Sequence, residues 1–389
     1  MNRDFRFSRV SEDSRLKHIY RQKLETEDVR EVHKALQFLW RTAGMGFEGD
    51  GAFILGETGA GKTTAVRMFT DAKFEEMRDA DPSGEWSRPK MPGTDLRPII
   101  HSAPGRVDYR PIAAMSVNSM PRYKSFMHDA AHALQVGLAS NADFGEASWE
   151  VQNALEKQRV KMFIFDDVQH IIEAHMTDYK AADVFKLLLK SRVQIVCVGL
   201  TKSHLLSTVN PQLRRLVRMR RTVTPLRCSI GDFPPLDRDG NPINAAPGIK
   251  TQFRKLMEAI DRKAGEDSIL PFDGESNLSH PRMALRIHQA TEGYVGEIMK
   301  LIQQAAALAI LDGRSKISKD DFEQAYRDKT SCDDDANWFH LSWPTLVERF
   351  GTITPAAHEK AEKDAEDVLK VSRKMAKTKR VEDAIAGRR

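Results

Sequence analysis

Apolar residues recur at helical spacing early in the chain, at Val29, Val32, Ala35, Leu36, Leu39 and Trp40, and predict an amphipathic helix behind a polar lead. A glycine-rich break at Phe47–Gly51 follows, and then a short unbroken apolar run, Ala52–Leu55, of the kind expected for a strand covered on both faces. From there the pattern alternates. It predicts a helix from about Thr63 to Arg78, a strand over Pro111–Val117, an amphipathic helix over Tyr123–Leu138 and a helix over 149–159. A strand over Lys161–Phe165, a helix over Ala181–Lys190 and a strand over Gln194–Gly199 complete the series. Strand alternating with helix is the pattern of a parallel sheet flanked by helices. Residues 81–110 interrupt it with five prolines and three glycines, which predicts a loop or extended insertion holding a short strand at Pro98–His101.

After Pro225 the texture changes. Residues 231–248, with Pro234, Pro235, Asp239-Gly240, Pro242 and Pro247, read as a turn-rich linker. Helical spacing then runs through 249–264, 281–291, 295–312 and 319–327, a small all-α domain. The expected organisation is therefore a helical extension over 1–50, an α/β domain over 51–230, the linker, a helical domain over 249–330, and a C-terminal extension with a charged tail over 331–389. The extension carries the acidic triplet Asp333–Asp335 with Trp338 and Trp343. The last 35 residues are charge-rich and poor in aromatics.

Composition narrows the class. The 389 residues are 41% hydrophobic and 30% charged, with a formal net charge of +5. The mildly basic balance hints at a polyanionic partner. Three cysteines, Cys197, Cys228 and Cys332, form no CxxC pair, which speaks against a disulfide framework or a zinc site. Neither a secretory leader nor a run long enough to span a bilayer is visible, so the cytoplasm is the expected compartment and no membrane partner is expected.

Candidate chemistry begins at Gly56-Glu57-Thr58-Gly59-Ala60-Gly61-Lys62-Thr63, which fits GxxxxGK[ST] at every position and lies between an apolar strand and a helix. Glycines let consecutive N–H groups turn inward onto phosphate oxygens, and the helix adds its positive end. Residues Gly56 to Thr63, with Thr64, are the nucleotide-binding candidates. Lys62 would reach the β- and γ-phosphates, and the Thr63 hydroxyl would ligate Mg2+.

Met162-Phe163-Ile164-Phe165-Asp166-Asp167 is an apolar strand ending in two carboxylates. An ordinary turn or a helix cap would also place acids there. A hundred residues beyond a phosphate loop, Asp166 is read as the Mg2+ ligand and Asp167 as the base for the attacking water. Thr201, just past the strand Gln194–Gly199, is the candidate contact to the γ-phosphate or the water, with a plain helix cap as the alternative.

From Val184 to Gly231 there is no acid but ten Lys or Arg, six of them arginines between Arg214 and Arg227. A solvated face normally mixes signs. The block therefore suggests an arginine finger reaching a neighbouring subunit, a nucleic-acid contact, or both. Arg214, Arg215 and Arg218, expected on a helix before the next strand, are the finger candidates.

Together GETGAGKT, FIFDDVQHI, IVCVGLTKS, NPQLRRLVRMRRTVTPL, TEGYVGEIMKLIQQAAALAI and GRSKISKDDFEQAY resemble the AAA+ ATPases, and within them the TniB/TnsC family of transposition regulators, over roughly residues 20–330. The resemblance implies an AAA+ P-loop domain with a helical lid, using ATP and Mg2+. It implies a protein that oligomerises as a ring or helical filament on double-stranded DNA and activates a transposase beside a TniQ-like targeting protein. Two positions depart from the family pattern. The second strand-end acid is Asp167 where Glu is usual, which predicts slow hydrolysis. The lid helix after Gly293 reads Tyr294-Val295-Gly296-Glu297 and offers only Lys300 where sensor 2 often has arginine.

DNA contacts would fall on phosphates and tolerate any sequence. Arg122 and Lys124, in a loop comparable to one that faces the DNA channel in related ATPases, are candidates, with surface cations of no function as the alternative. The basic tail Lys370–Arg380 is open to three readings: a DNA contact, an induced helix docking on the transposase or a partner, or a solvated tail. Two other functions compete: a replication initiator or loader, opposed by the lack of a recognisable winged helix after the lid, and a signalling or secretion ATPase, opposed by the basic block.

Overall fold

Every residue of Gly51–Leu55 (β1) is buried, and that two-sided burial organises the sheet around it. The structure is a computed structural model. It describes residues 6–352 other than 103–104, 106, 120, 140, 174–177, 205, 207–213, 216, 244–247 and 263–267. These divide into one unit over Glu27–Val223 and a second that joins the N-terminal residues up to Thr26 to those from Thr224 onward.

In the first unit the described strands are β1, β2 (Glu85–Ser87), β3 (Ile99–Ser102), β4 (Tyr109–Ser116), β5 (Met162–Asp166), β6 (Gln194–Gly199) and β7 (Val217–Thr222). They lie in the order β2-β3-β4-β5-β6-β1-β7. The five from β4 to β7 pair in parallel, and β2 and β3 add an antiparallel margin. The proline-rich insertion thus supplies two strands where one was expected.

Chain order 1-4-5-6-7 against spatial order 4-5-6-1-7 requires crossovers, and helices supply them. Those described are α2 (Glu27–Thr42), α3 (Lys62–Ala80), α4 (Tyr123–Ala133), α5 (Phe144–Lys157), α6 (Gln169–Glu173) and α7 (Asp178–Lys190); α1 (Glu12–Arg21) belongs to the second unit. One sheet face sends Phe163, Phe165 and Ile195 into a core with Phe126, Leu155 and Phe185, where Phe165 stacks on Phe126 at 5.6 Å and meets Phe185 edge-on at 5.4 Å.

Two helix limits differ from the periodic reading. α4 stops at Ala133 rather than Leu138, because Gln135 turns left-handed (φ 57) and the Val136 amide closes back on Ala131 O. α5 starts at Phe144 rather than 149, because Asp143 and Glu146 exchange side-chain-to-backbone bonds in a capping box.

The second unit is helical: α1 and helices Gln252–Asp261, Pro281–Thr291, Val295–Leu311, Lys319–Thr330 and Trp343–Thr352. Its core joins Ile19 to Phe253, Leu285, Ile302 and Phe339. Residues 1–50 therefore do not form a single extension. The expected linker is also part of this unit: Phe233 is buried, Asp237 caps the turn to Asn241, and Gly240 (φ 81) lies so close to Trp343 that a Cβ would come within 2.5 Å of it. Prolines and glycines here encode tight turns rather than slack. No single helix among the described residues is long and apolar enough to cross a membrane.

Candidate functional site

The carboxyl ends of β1, β4, β5 and β6 lie side by side, with Leu55 opposite Gly199 and Ser116 opposite Asp166. This is where ligands settle in open parallel sheets. The loop after β1 must bend under the chain leaving β7: a Cβ on Gly56 (φ 153) would lie 2.5 Å from Val223 O, so only glycine fits. Gly61 (φ 97) then turns the chain into α3, whose first residue is Lys62.

Lys62 Nζ donates to Glu57 O across the loop at 2.8 Å. Burial lowers its pKa, against the opposing pull of Asp166, Glu57 and Asp167. A half-buried ammonium whose hydrogen bond among the described residues is to a carbonyl would gain from a phosphate.

Asp166 is 5% exposed and makes no ion pair among the described residues. Its carboxylate accepts from Thr94 Oγ1 at 2.7 Å, the Asp167 amide at 3.2 Å and Thr63 Oγ1 at 3.3 Å. Burial pushes its pKa up to about 6; the Thr94 hydrogen bond pulls it down and the Asp167 charge adds to the rise. An unbalanced buried carboxylate beside a threonine hydroxyl is a hard-oxygen donor set that fits Mg2+, so Asp166 and Thr63 could hold it.

Asp167 takes a left-handed backbone (φ 56). Its Oδ1 accepts from Gln169 Nε2 at 3.0 Å, and Ser116 Oγ stands 3.5 Å from Oδ2. The Gln169 carbonyl in turn accepts the Leu200 amide at 3.2 Å, tying the acid to the end of β6. Thr201, next along, donates to Glu57 Oε1 at 2.9 Å.

The structure therefore brings Gly56, Glu57, Lys62, Thr63, Asp166, Asp167 and Thr201 together. Thr58, Gly59 and Ala60 fill the loop, and Thr64 follows in the first turn of α3. Sequence reasoning missed Thr94, Ser116 and Gln169. Only Gln169 carried a signal, two residues past Asp167 on the strand-end motif.

The arginines require a correction. Arg218 lies in β7, not on a helix; the exposure of Val217–Thr222 alternates as an edge strand demands. The block is also less one-signed in space than in sequence. Arg218 pairs with Asp50 at 2.7 Å, Arg215 with Glu48 at 3.5 Å and Arg221 with Glu31 at 3.8 Å. Arg214 has no ion-pair partner among the described residues.

Arg122 and Lys124 stand exposed at the start of α4, beyond the site end of β4, and neither touches the phosphate loop among the described residues. Lys300 pairs with Glu297 at 2.9 Å, and Lys329 binds the same carboxylate. The tail Lys370–Arg380 lies outside the described residues.

Residues 48–209 match the family model AAA_22, described as an AAA domain. No curated protein matches the chain. Among solved structures, the Aeropyrum pernix ORC2 protein, in ADPNP-ADP complexes, is 10% identical with a TM-score of 0.52, over 90% of this chain and 89% of that one. Drosophila ORC bound to DNA is 12% identical with a TM-score of 0.48, over 84% and 68%. The Aeropyrum pernix ORC1 protein in complex with DNA is 13% identical with a TM-score of 0.46, over 81% and 69%. The first of these shares the fold. With the domain match, it gives residues 48–209 the general character of an AAA+ P-loop ATPase domain.

Proposed function

We propose that the chain is an ATP-dependent switch on double-stranded DNA that regulates transposition, in the manner of the TniB/TnsC proteins its sequence resembles. The observation that carries this reading is the convergence of Lys62, Thr63, Asp166, Asp167 and Thr201 at the carboxyl ends of the central strands, with an arginine-rich strand beside β1. Loop amides and Lys62, exchanging Glu57 O for phosphate, bind the triphosphate. Thr63 and Asp166 would hold Mg2+, which would supply charge neutralisation at the phosphates. Asp167, oriented by Gln169, takes the proton of the attacking water, and Thr201 lines the γ-phosphate side.

Arg215 and Arg218 are engaged within their own chain, so Arg214 is the best-placed finger toward a neighbouring copy in a ring or helical filament. Arg122, Lys124 and the basic tail contribute phosphate contacts. The assembled form recruits and activates the transposase beside a TniQ-like targeting protein, in the cytoplasm.

The test is fluorescence anisotropy on random-sequence duplexes with a non-hydrolysable ATP analogue or ADP, across a salt series. We expect binding that needs the analogue and ignores sequence. Log affinity should fall linearly with log salt, by roughly 0.9 per phosphate contacted. Lys62→Ala should lose nucleotide and duplex together. Duplex binding indifferent to nucleotide would sink the switch. A second reading, an initiator-type ATPase, is favoured by the fold shared with the Aeropyrum pernix ORC2 protein; strong preference for one duplex sequence would select it.

A further inference from the structure

The proline-rich insertion reaches the nucleotide site. We propose that Thr94, carried on it, is a positioning residue for the metal-binding carboxylate Asp166; this rests on the Mg2+–ATP reading above. The segment between β2 and β3 folds back over the end of β4 and is pinned on both sides of Thr94. Arg88 pairs with Asp71 of α3 and donates to Thr70 Oγ1 at 2.9 Å, while Leu96 is fully buried. Gly93 lies against Ser116, where a Cβ would approach within 3.2 Å of the serine Cβ.

Between these anchors, Thr94 Oγ1 accepts the Leu96 amide at 3.0 Å and donates to Asp166 Oδ2 at 2.7 Å. The two bonds fix the polarity of the hydroxyl: with the Leu96 amide as its donor, its single proton is committed to the carboxylate. This is a tighter contact than either approach of Thr63, at 3.3 and 3.4 Å. The carboxylate is 5% exposed, so no bulk water can replace the lost bond cheaply. Thr94 thus orients Asp166 by holding Oδ2, while Oδ1 accepts the Asp167 amide at 3.2 Å and Thr63 Oγ1 stands 3.3 and 3.4 Å from the two oxygens. Outer hydrogen bonds of this kind set the affinity of the ligand they hold.

Thr94→Val keeps the shape and removes the hydroxyl; Thr94→Ser keeps the hydroxyl. The affinity of a fluorescent ATP analogue is titrated against Mg2+, and measured again in EDTA, on the full chain. Thr94→Val should raise the Mg2+ concentration for half-maximal tight binding roughly 10-fold. It should leave the EDTA affinity unchanged, and Thr94→Ser should stay close to the parent. If circular dichroism shows that Thr94→Val is unfolded, Thr94→Ala takes its place with the same expectation. A parental Mg2+ dependence in the hydroxyl-free variant would overturn the assignment, as would equal losses in EDTA or a Thr94→Ser as impaired as Thr94→Val. Failure of the parent protein to bind the analogue with Mg2+ would instead overturn the nucleotide-site reading itself.

Discussion

Asp167 shows how backbone conformation selects a side chain. Its φ of 56 is a left-handed setting that aspartate tolerates better than longer side chains, because its short carboxylate can bond locally. The departure from glutamate noted in the sequence therefore has a local cause: the strand end turns sharply, and Gln169 and Ser116 hold the shorter acid in place. Asp167→Asn should lower ATP turnover by about 10²- to 10⁴-fold, the usual worth of a positioned base, while nucleotide affinity stays near parental. Phosphate release and equilibrium binding, measured in parallel, separate the two. Turnover unchanged by that substitution would remove Asp167 from the role of base. The residues of the motif were legible in the sequence because phosphate and metal chemistry dictate their types and order. Thr94 and Ser116 were not, since a lone hydroxyl acquires its partner only once distant segments are folded together.

At the scale of elements, the apolar strands read directly from sequence because two-sided burial leaves uninterrupted hydrophobic runs. β7 did not. It is an edge strand whose exposed positions include Arg218 and Arg220, and its dense positive charge hid the alternation of Val217, Met219 and Arg221 on the other face. Its placement divides the arginines by expected effect. Arg218 is 62% exposed even though Asp50 is only 15% exposed, so Arg218→Ala should cost less than about 1 kcal/mol in denaturant unfolding. Arg214→Ala should lower turnover roughly 10³-fold where copies are assembled and leave turnover at high dilution unchanged. An equal loss at both concentrations would contradict a role toward a neighbouring copy.

For the whole molecule, the α/β class and the helical region were visible in the switch of periodicity near Pro225. The grouping of α1 with the helices after Thr224 was not, because contacts such as Ile19 against that core leave no mark on local spacing. The helical unit half-buries His288, whose Nε2 sits 2.9 Å from Leu226 O and whose ring meets Phe253 edge-on at 5.0 Å. Burial lowers its pKa from 6.5, outweighing the Leu226 carbonyl and the Asp232 charge. The unfolded chain then binds a proton that the folded one refuses, so stability present above 6.5 is lost as pH falls below it. The melting temperature should drop by a few degrees between about pH 7.5 and pH 5.5, and His288→Gln should shrink that drop. A slope identical in the variant would assign the acid sensitivity elsewhere.

The sheet has two outer margins, and neither invites a foreign strand. β2 is three residues long with Glu85 and Ser87 projecting outward, and β7 is lined with arginines. Short, charged borders of this sort resist hydrogen-bonded extension from molecule to molecule. Copies of this chain at high local concentration are thereby steered away from amyloid-like stacking and toward contacts made by side chains.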